Sequence, residues 1–101
     1  MHMATKALAG LLIEHRDEIL RICAKHGAGN VRVFGSMARR DYTEDSDVDF
    51  LVDIVGPTTQ WWPGGLVVDL EDLLGRGIDV TTESGLNRHL KDQVLAEAMP
   101  L

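Results

Sequence analysis

A single cysteine, Cys23, leaves this 101-residue chain without the means to form an internal disulfide, and no Cys/His cluster has the spacing of a zinc site. The chain therefore suits a reducing compartment, and a cytoplasmic setting is expected. Basic charge is also scarce: 10 Lys and Arg stand against 16 Asp and Glu, for a formal net charge of -6. Affinity for a phosphate backbone comes mainly from Lys and Arg, so direct nucleic-acid binding and template-bound polymerisation are disfavoured. No apolar run approaches the ~18 residues of a membrane span, and the N-terminus lacks the apolar stretch of a signal peptide. Repeats, linkers and low-complexity tracts are absent as well. A chain this short buries only about 60–68% of its unfolded surface, enough for one core but not for a separate substrate-binding domain. A large substrate must then be held partly by a partner. Met1-His2-Met3 reads as a start residue plus a cloning remnant, leaving residues 4–101 as one expected domain.

What is present has clear periodicity. From Leu8 to Cys23, apolar Leu8, Leu11, Leu12, Ile19, Ile22 and Cys23 oppose a charged face, which predicts a first helix ended by Gly27 and Gly29. Val31-Arg32-Val33-Phe34 predicts a short strand running into Gly35-Ser36, with a short helix beyond. From Asp47 to Val55, acidic positions alternate with Val48, Phe50, Val52 and Ile54, the pattern of a central strand with one wholly apolar face. Gly56-Pro57 closes it, and a loop follows that carries Trp61 and Trp62. A helix with Leu66, Leu70, Leu73 and Leu74 inward, a third strand over Ile78–Thr81, and a last helix follow. Ser84 is the expected N-cap of that last helix, Leu86, Leu90, Val94 and Ala98 its inward face, and Pro100 its stop. The order predicts an α/β (α+β) domain with helices packed on a small three-stranded mixed sheet.

The chemistry concentrates between Asp41 and Asp53, where Asp41, Glu44, Asp45, Asp47, Asp49 and Asp53 accumulate and no Lys or Arg appears before Arg76. Strand alternation puts Asp47 and Asp49 on one face, roughly 6.5–7 Å apart. Two carboxylates so placed can share a divalent ion, and hard oxygen ligands select Mg²⁺ or Mn²⁺, the usual apparatus of phosphoryl or nucleotidyl transfer. Asp79, alone between Ile78 and Val80, is the candidate third ligand from a neighbouring strand. An isolated D-x-D is more often a solvated turn. Here Gly35-Ser36 supplies a second element, since a turn opening a helix can grip phosphate oxygens through backbone N–H groups and the Ser36 hydroxyl.

Phe34-Gly35-Ser36-Met37-Ala38-Arg39, Ser46-Asp47-Val48-Asp49-Phe50-Leu51-Val52, Leu73-Leu74-Gly75, Ile78-Asp79-Val80-Thr81 and the terminal Ala96-Glu97-Ala98 resemble the minimal nucleotidyltransferase family of the polymerase-β-like nucleotidyltransferase superfamily. The resemblance covers nearly the whole chain. It implies the polymerase-β-like fold and an antitoxin that neutralises a HEPN-domain ribonuclease toxin by moving AMP from ATP to its tyrosine hydroxyl. It further implies that Asp47, Asp49 and Asp79 are the metal and catalytic carboxylates, that Gly35 and Ser36 contact the triphosphate, that Arg39 matches a motif arginine, and that Ser46 orients the first carboxylate. Arg40 stands where many relatives have Gly, a departure that alters the loop or adds a phosphate contact. An antitoxin acting by occlusion alone is an alternative, as is transfer to a small molecule, although relatives of that kind carry an extra helical domain.

Other residues read more plainly. His15 lies on the apolar stripe of the first helix as a packing residue, His26 and His89 have no constellation, and Met37 and Cys23 belong to the core. Asp53 shares the parity of Asp49 but falls at the far strand end, where a solvated side chain is expected. Trp61 and Trp62 cannot both face inward; core or loop packing is one expectation, and a partner anchor or a base platform, on a loop near the active-site edge, is the other.

Overall fold

A computed structural model describes residues 10–101. Met1–Met3, residues 4–9 of the expected domain and Leu8 of the expected first helix lie outside the described residues. The helix resolves into α1 (Gly10–Glu14) and α2 (Arg16–Lys25), which together bury Leu12, Ile19 and Cys23. The interruption is slight. The His15 N–H still donates to Leu11 O at 3.2 Å and its carbonyl accepts from Ile19 N–H at 2.9 Å, so one apolar stripe continues through both pieces.

Strand β1 (Ala28–Phe34) begins earlier than its β-branched residues predict, because an irregularity between Gly29 and Arg32, with Asn30 at φ 47°, lets the Gly-rich start pair as well. The remaining elements are α3 (Ser36–Arg39), β2 (Val48–Ile54), α4 (Gly64–Leu74), β3 (Ile78–Thr81), a 3₁₀ turn (Glu83–Gly85), α5 (Arg88–Glu97) and β4 (Met99–Pro100). The sheet has four strands rather than the expected three, in the order β3-β2-β1-β4. Strand β1 pairs antiparallel with β2 and β4, while β2 pairs parallel with β3 through the α4 crossover, so the sheet is mixed.

One face of the sheet is dry. Val33, Val48, Phe50 and Val52 are fully buried there, with Ile78 and Val80 at the edge strand, under Ile19 and Cys23 of α2 and Leu66, Leu70 and Leu74 of α4. At ~1.5–3 kcal/mol per fully buried aliphatic side chain, this layer is the main source of stability. The other face carries the odd members of β2, namely Asp49, Leu51 and Asp53; Glu83 of the 3₁₀ turn reaches Arg32 on this side, and Val94 and Glu97 of α5 line the cleft over Asp49. Leu51 is fully buried on this face too, while Asp49 and Asp53 on either side of it are partly accessible.

The last helix differs from expectation at both ends. Asn87, not Ser84, is its N-cap and accepts from the His89 N–H at 2.8 Å, while Ser84 sits in the 3₁₀ turn. Pro100 does not stop the helix, which already ends at Glu97; Ala98 turns extended so that Met99 and Pro100 can pair with Val33 and Arg32. Val94 is buried as expected, but Leu90 is half exposed because it faces the open cleft. Among the described residues, no helix is long and apolar enough to cross a membrane.

Candidate active site

Asp47 immediately precedes β2 and Asp49 lies inside it, flanked in register by Phe34 of β1 on one side and Asp79 of β3 on the other. Parallel pairing thus sets Asp49 and Asp79 side by side. Asp49 and Asp47 are each backed by a glycine. Gly35, at φ 73°, presses so closely on the Asp49 carboxylate that a Cβ would collide with its Oδ2, and a Cβ at Gly77 would likewise strike the Asp47 Oδ1. The carbonyl of Gly77 accepts from the Val48 N–H at 2.9 Å, which fixes this backbone beside the strand. A cleft of about 420 Å³ opens over these groups, lined on the sheet side by Gly35, Ser36, Arg39, Asp47 and Asp49 and on the other by Leu90, Gln93, Val94 and Glu97 of α5. Asp79 stands exposed at the rim, outside that lining.

The site is electrically lopsided. Burial, and then the negative charges of Asp79 and Asp47, push the Asp49 carboxyl up from 3.8 to about 6, with Arg39 opposing and Glu97 reinforcing. Hydrogen bonds to Asp41 and Glu97 hold the Arg39 guanidinium firmly charged. Among the described residues, no three His, Cys, Asp or Glu side chains are gathered into a ready-made metal cage. The donor set nonetheless fits a hard divalent cation: the oxygens are carboxylates, their mutual repulsion is what a cation relieves, and the cleft opens over Asp47 and Asp49.

Residues 16–101 match the nucleotidyltransferase domain family. The chain belongs to that family. A relative in Methanocaldococcus jannaschii, provisionally named a protein adenylyltransferase, is 36% identical over 86 residues, spanning 85% of this chain and 92% of its own length. The protein adenylyltransferase MntA of Thermococcus cleftensis is 31% identical over 97 residues, spanning 96% and 95%. A solved structure described as a minimal nucleotidyltransferase superposes with a TM-score of 0.79 at 46% identity, covering 91% of this chain and 94% of that one. A toxin-antitoxin crystal structure with AMP-PNP superposes with a TM-score of 0.70 at 17% identity, covering 83% and 69%, and shares the fold. The expected α/β nucleotidyltransferase fold is thereby established.

Within this nucleotidyltransferase domain the structure brings Gly35, Ser36, Arg39, Ser46, Asp47 and Asp49 around one cleft, with Asp79 beside Asp49. It departs from expectation at Ser46, whose hydroxyl accepts from the Thr43 N–H at 2.8 Å and so braces the loop; the residue that closes on Asp47 is Gly77. Arg76 donates to the carbonyls of Thr43 and Ser46 at 3.1 and 2.9 Å, pinning the same loop. Arg40 adopts φ 65°, the left-handed region, where a glycine would carry no Cβ penalty. Asp53 lies at the strand end with its side chain 44% exposed, as expected, and is also paired: Arg32 donates to it at 2.8 Å and Asn30 at 2.9 Å, and Arg32 also reaches Glu83 at 3.2 Å. His26 has a partner after all, with Nε2 2.7 Å from Asp69 Oδ2, and this bond holds the Asp69 carboxyl below its ordinary value.

The tryptophans are displaced from the expected place. Their loop leaves the C-terminal end of β2, whereas Asp47 and Asp49 stand at its N-terminal end, about 20 Å away at ~3.3 Å per residue. Trp62 packs on the core and Trp61 is 71% exposed at the far end, so neither ring reaches a nucleotide in the cleft. Glu97 and Gln93 were not singled out by sequence reasoning. The available signal was Glu97 itself, a carboxylate continuing the Leu90–Val94 stripe of α5 at helical spacing.

Proposed function

We propose that this chain is a Mg²⁺- or Mn²⁺-dependent adenylyltransferase that moves AMP from ATP to a tyrosine hydroxyl of a partner HEPN-domain ribonuclease toxin, acting as its antitoxin in the cytoplasm. The observation that carries the proposal is the register of Asp49 with Asp79, with Asp47 two positions earlier and Gly35 packed on Asp49. Curated relatives named as protein adenylyltransferases support protein as the acceptor. A toxin-antitoxin fold neighbour with AMP-PNP supports ATP as the donor and a toxin as the partner.

Asp47, Asp49 and Asp79 would hold the divalent ion, which when bound supplies charge neutralisation at the triphosphate and acidifies the acceptor hydroxyl. The remaining work belongs to the chain. Ser36, the first residue of α3, is placed to donate its hydroxyl to phosphate oxygens, and Arg39 supplies the fixed positive charge on that side of the cleft. Leu90 and Val94 of α5 form the apolar wall against which the nucleoside is held. The acceptor oxygen attacks the α-phosphorus, the bond to the bridging oxygen of the β-phosphate breaks, and pyrophosphate leaves. Asp79, exposed at the rim beside Asp49, is the carboxylate an acceptor hydroxyl can reach from solvent and would take its proton.

The test is transfer of labelled AMP from ATP to the matched toxin. The double variant Asp47→Asn with Asp49→Asn should lose transfer while remaining folded; wild-type transfer by that variant would refute the assignment.

A further inference from the structure

The cleft already contains an anion. Glu97 Oε1 accepts the Gly35 N–H at 2.8 Å and an Arg39 Nη1 N–H at 3.2 Å, and Oε2 lies 3.3 Å from the same nitrogen. The side chain is only 18% exposed, so this is a seated group rather than a solvated one. Both partners are donors that an incoming triphosphate needs, a backbone amide beside Asp49 and the guanidinium lining the cleft. A carboxylate and a phosphate make the same kind of charge-assisted bond, and one donor pair cannot serve both fully. Charge points the same way: Asp47, Asp79 and Glu97 all act on Asp49 as negative charges, and Arg39 is the cation among them.

Resting on the adenylyltransferase reading, we propose that Glu97 is a competing carboxylate that occupies the phosphate subsite of the free protein, and that nucleotide binds by displacing it from Gly35 and Arg39. The backbone that carries Glu97 is tied down. The Ala98 N–H donates to Val94 O at 2.9 Å, and Met99 and Pro100 are paired with β1, with the Leu101 N–H reaching Val31 O at 2.9 Å. Displacement is therefore a side-chain rotation toward solvent, with α5 staying in place, and it sets the affinity for the polyphosphate part of the nucleotide. The adenosine part is indifferent to it.

Titration calorimetry of the full chain with Mg²⁺-AMP-PNP, inorganic tripolyphosphate and adenosine tests this. Glu97→Gln, which keeps the shape and removes the charge, and Glu97→Ala should each bind AMP-PNP and tripolyphosphate about tenfold more tightly than wild type, the loss of one charge-assisted competitor. Adenosine affinity should not change. Equal or weaker triphosphate binding by both variants would overturn the proposal, as would an equal gain for adenosine, which signals a loosened cleft. If wild type and both variants, each melting cooperatively, bind no triphosphate, the adenylyltransferase reading fails and the proposal with it. In the wild-type protein the Glu97 side-chain carboxyl ¹³C resonance should shift together with the Gly35 amide on addition of tripolyphosphate; a carboxyl resonance that stays still while the amide moves would also overturn it.

Discussion

Replacing Asp49 by Asn should stabilise the metal-free protein at neutral pH. In the folded chain the Asp49 carboxyl is raised from 3.8 to about 6 by burial and by Asp79 and Asp47. The folded state therefore holds this proton more tightly than the unfolded chain does. Between about pH 4 and 6 it binds the larger share of proton, so unfolding free energy falls as pH rises through that window and stays low above it. A displacement of about two pH units corresponds to about 3 kcal/mol, and water in the open cleft reduces it to about 1–2 kcal/mol. Asn keeps the shape and has no charge to repel. At pH 8 in EDTA, Asp49→Asn should melt about 5–10 °C above wild type, and the two should converge near pH 4, where wild type is itself protonated. Thermal unfolding followed by circular dichroism at pH 4, 6 and 8 measures this. An Asn variant less stable than wild type at pH 8, or a difference that does not change with pH, would refute the electrostatic reasoning.

Gly77→Ala should change stability by less than about 1 kcal/mol, because the new methyl meets the exposed Asp47 carboxylate and not the core, yet transfer should fall by on the order of 10²-fold as that carboxylate is pushed aside; denaturant melts and a labelled-AMP assay separate the two effects. Arg40→Gly relieves a left-handed residue and should raise stability by about 0.5–1 kcal/mol, read as a rise in urea midpoint without a change in slope. Trp62→Ala should cost about 2–3 kcal/mol because that ring packs on the core, whereas Trp61→Ala should cost under about 0.5 kcal/mol. Neither tryptophan variant should alter AMP-PNP affinity, and a loss there would contradict the placement of the loop at the far end of β2.

Where the sequence was informative, the reason is strand geometry. Asp47 and Asp49 declare their common face through alternation alone, and Asp79 betrays its place because one acid interrupts an apolar strand whose register to β2 then sets it beside Asp49. Gly35-Ser36 could be read because a glycine after a β-branched run marks a turn, although what demands glycine, contact with Asp49, is visible only in three dimensions. Short or long-range features were not legible. Met99-Pro100 is too brief a strand to show a period, and it forms because α5 delivers it to the free edge of β1. Asn87 outcompetes Ser84 as a cap because Glu83–Gly85 is drawn into its own turn. The position of the tryptophan loop was not legible from its adjacency to β2 alone, since it leaves the C-terminal end of the strand and the acids stand at the other. Glu97 stands in the sequence motif, but its place in the cleft was not legible because its partners, Gly35 and Arg39, lie 62 and 58 positions away along the chain.

The intact mass of the matched toxin, purified after co-expression with this chain, tests the central claim most directly. The account predicts a toxin heavier by one or more AMP groups carried on tyrosine, and an unmodified toxin when the co-expressed chain is the Asp47→Asn, Asp49→Asn variant. A toxin that is fully inhibited by the wild-type chain yet carries no added mass would contradict it and leave inhibition by occlusion in its place.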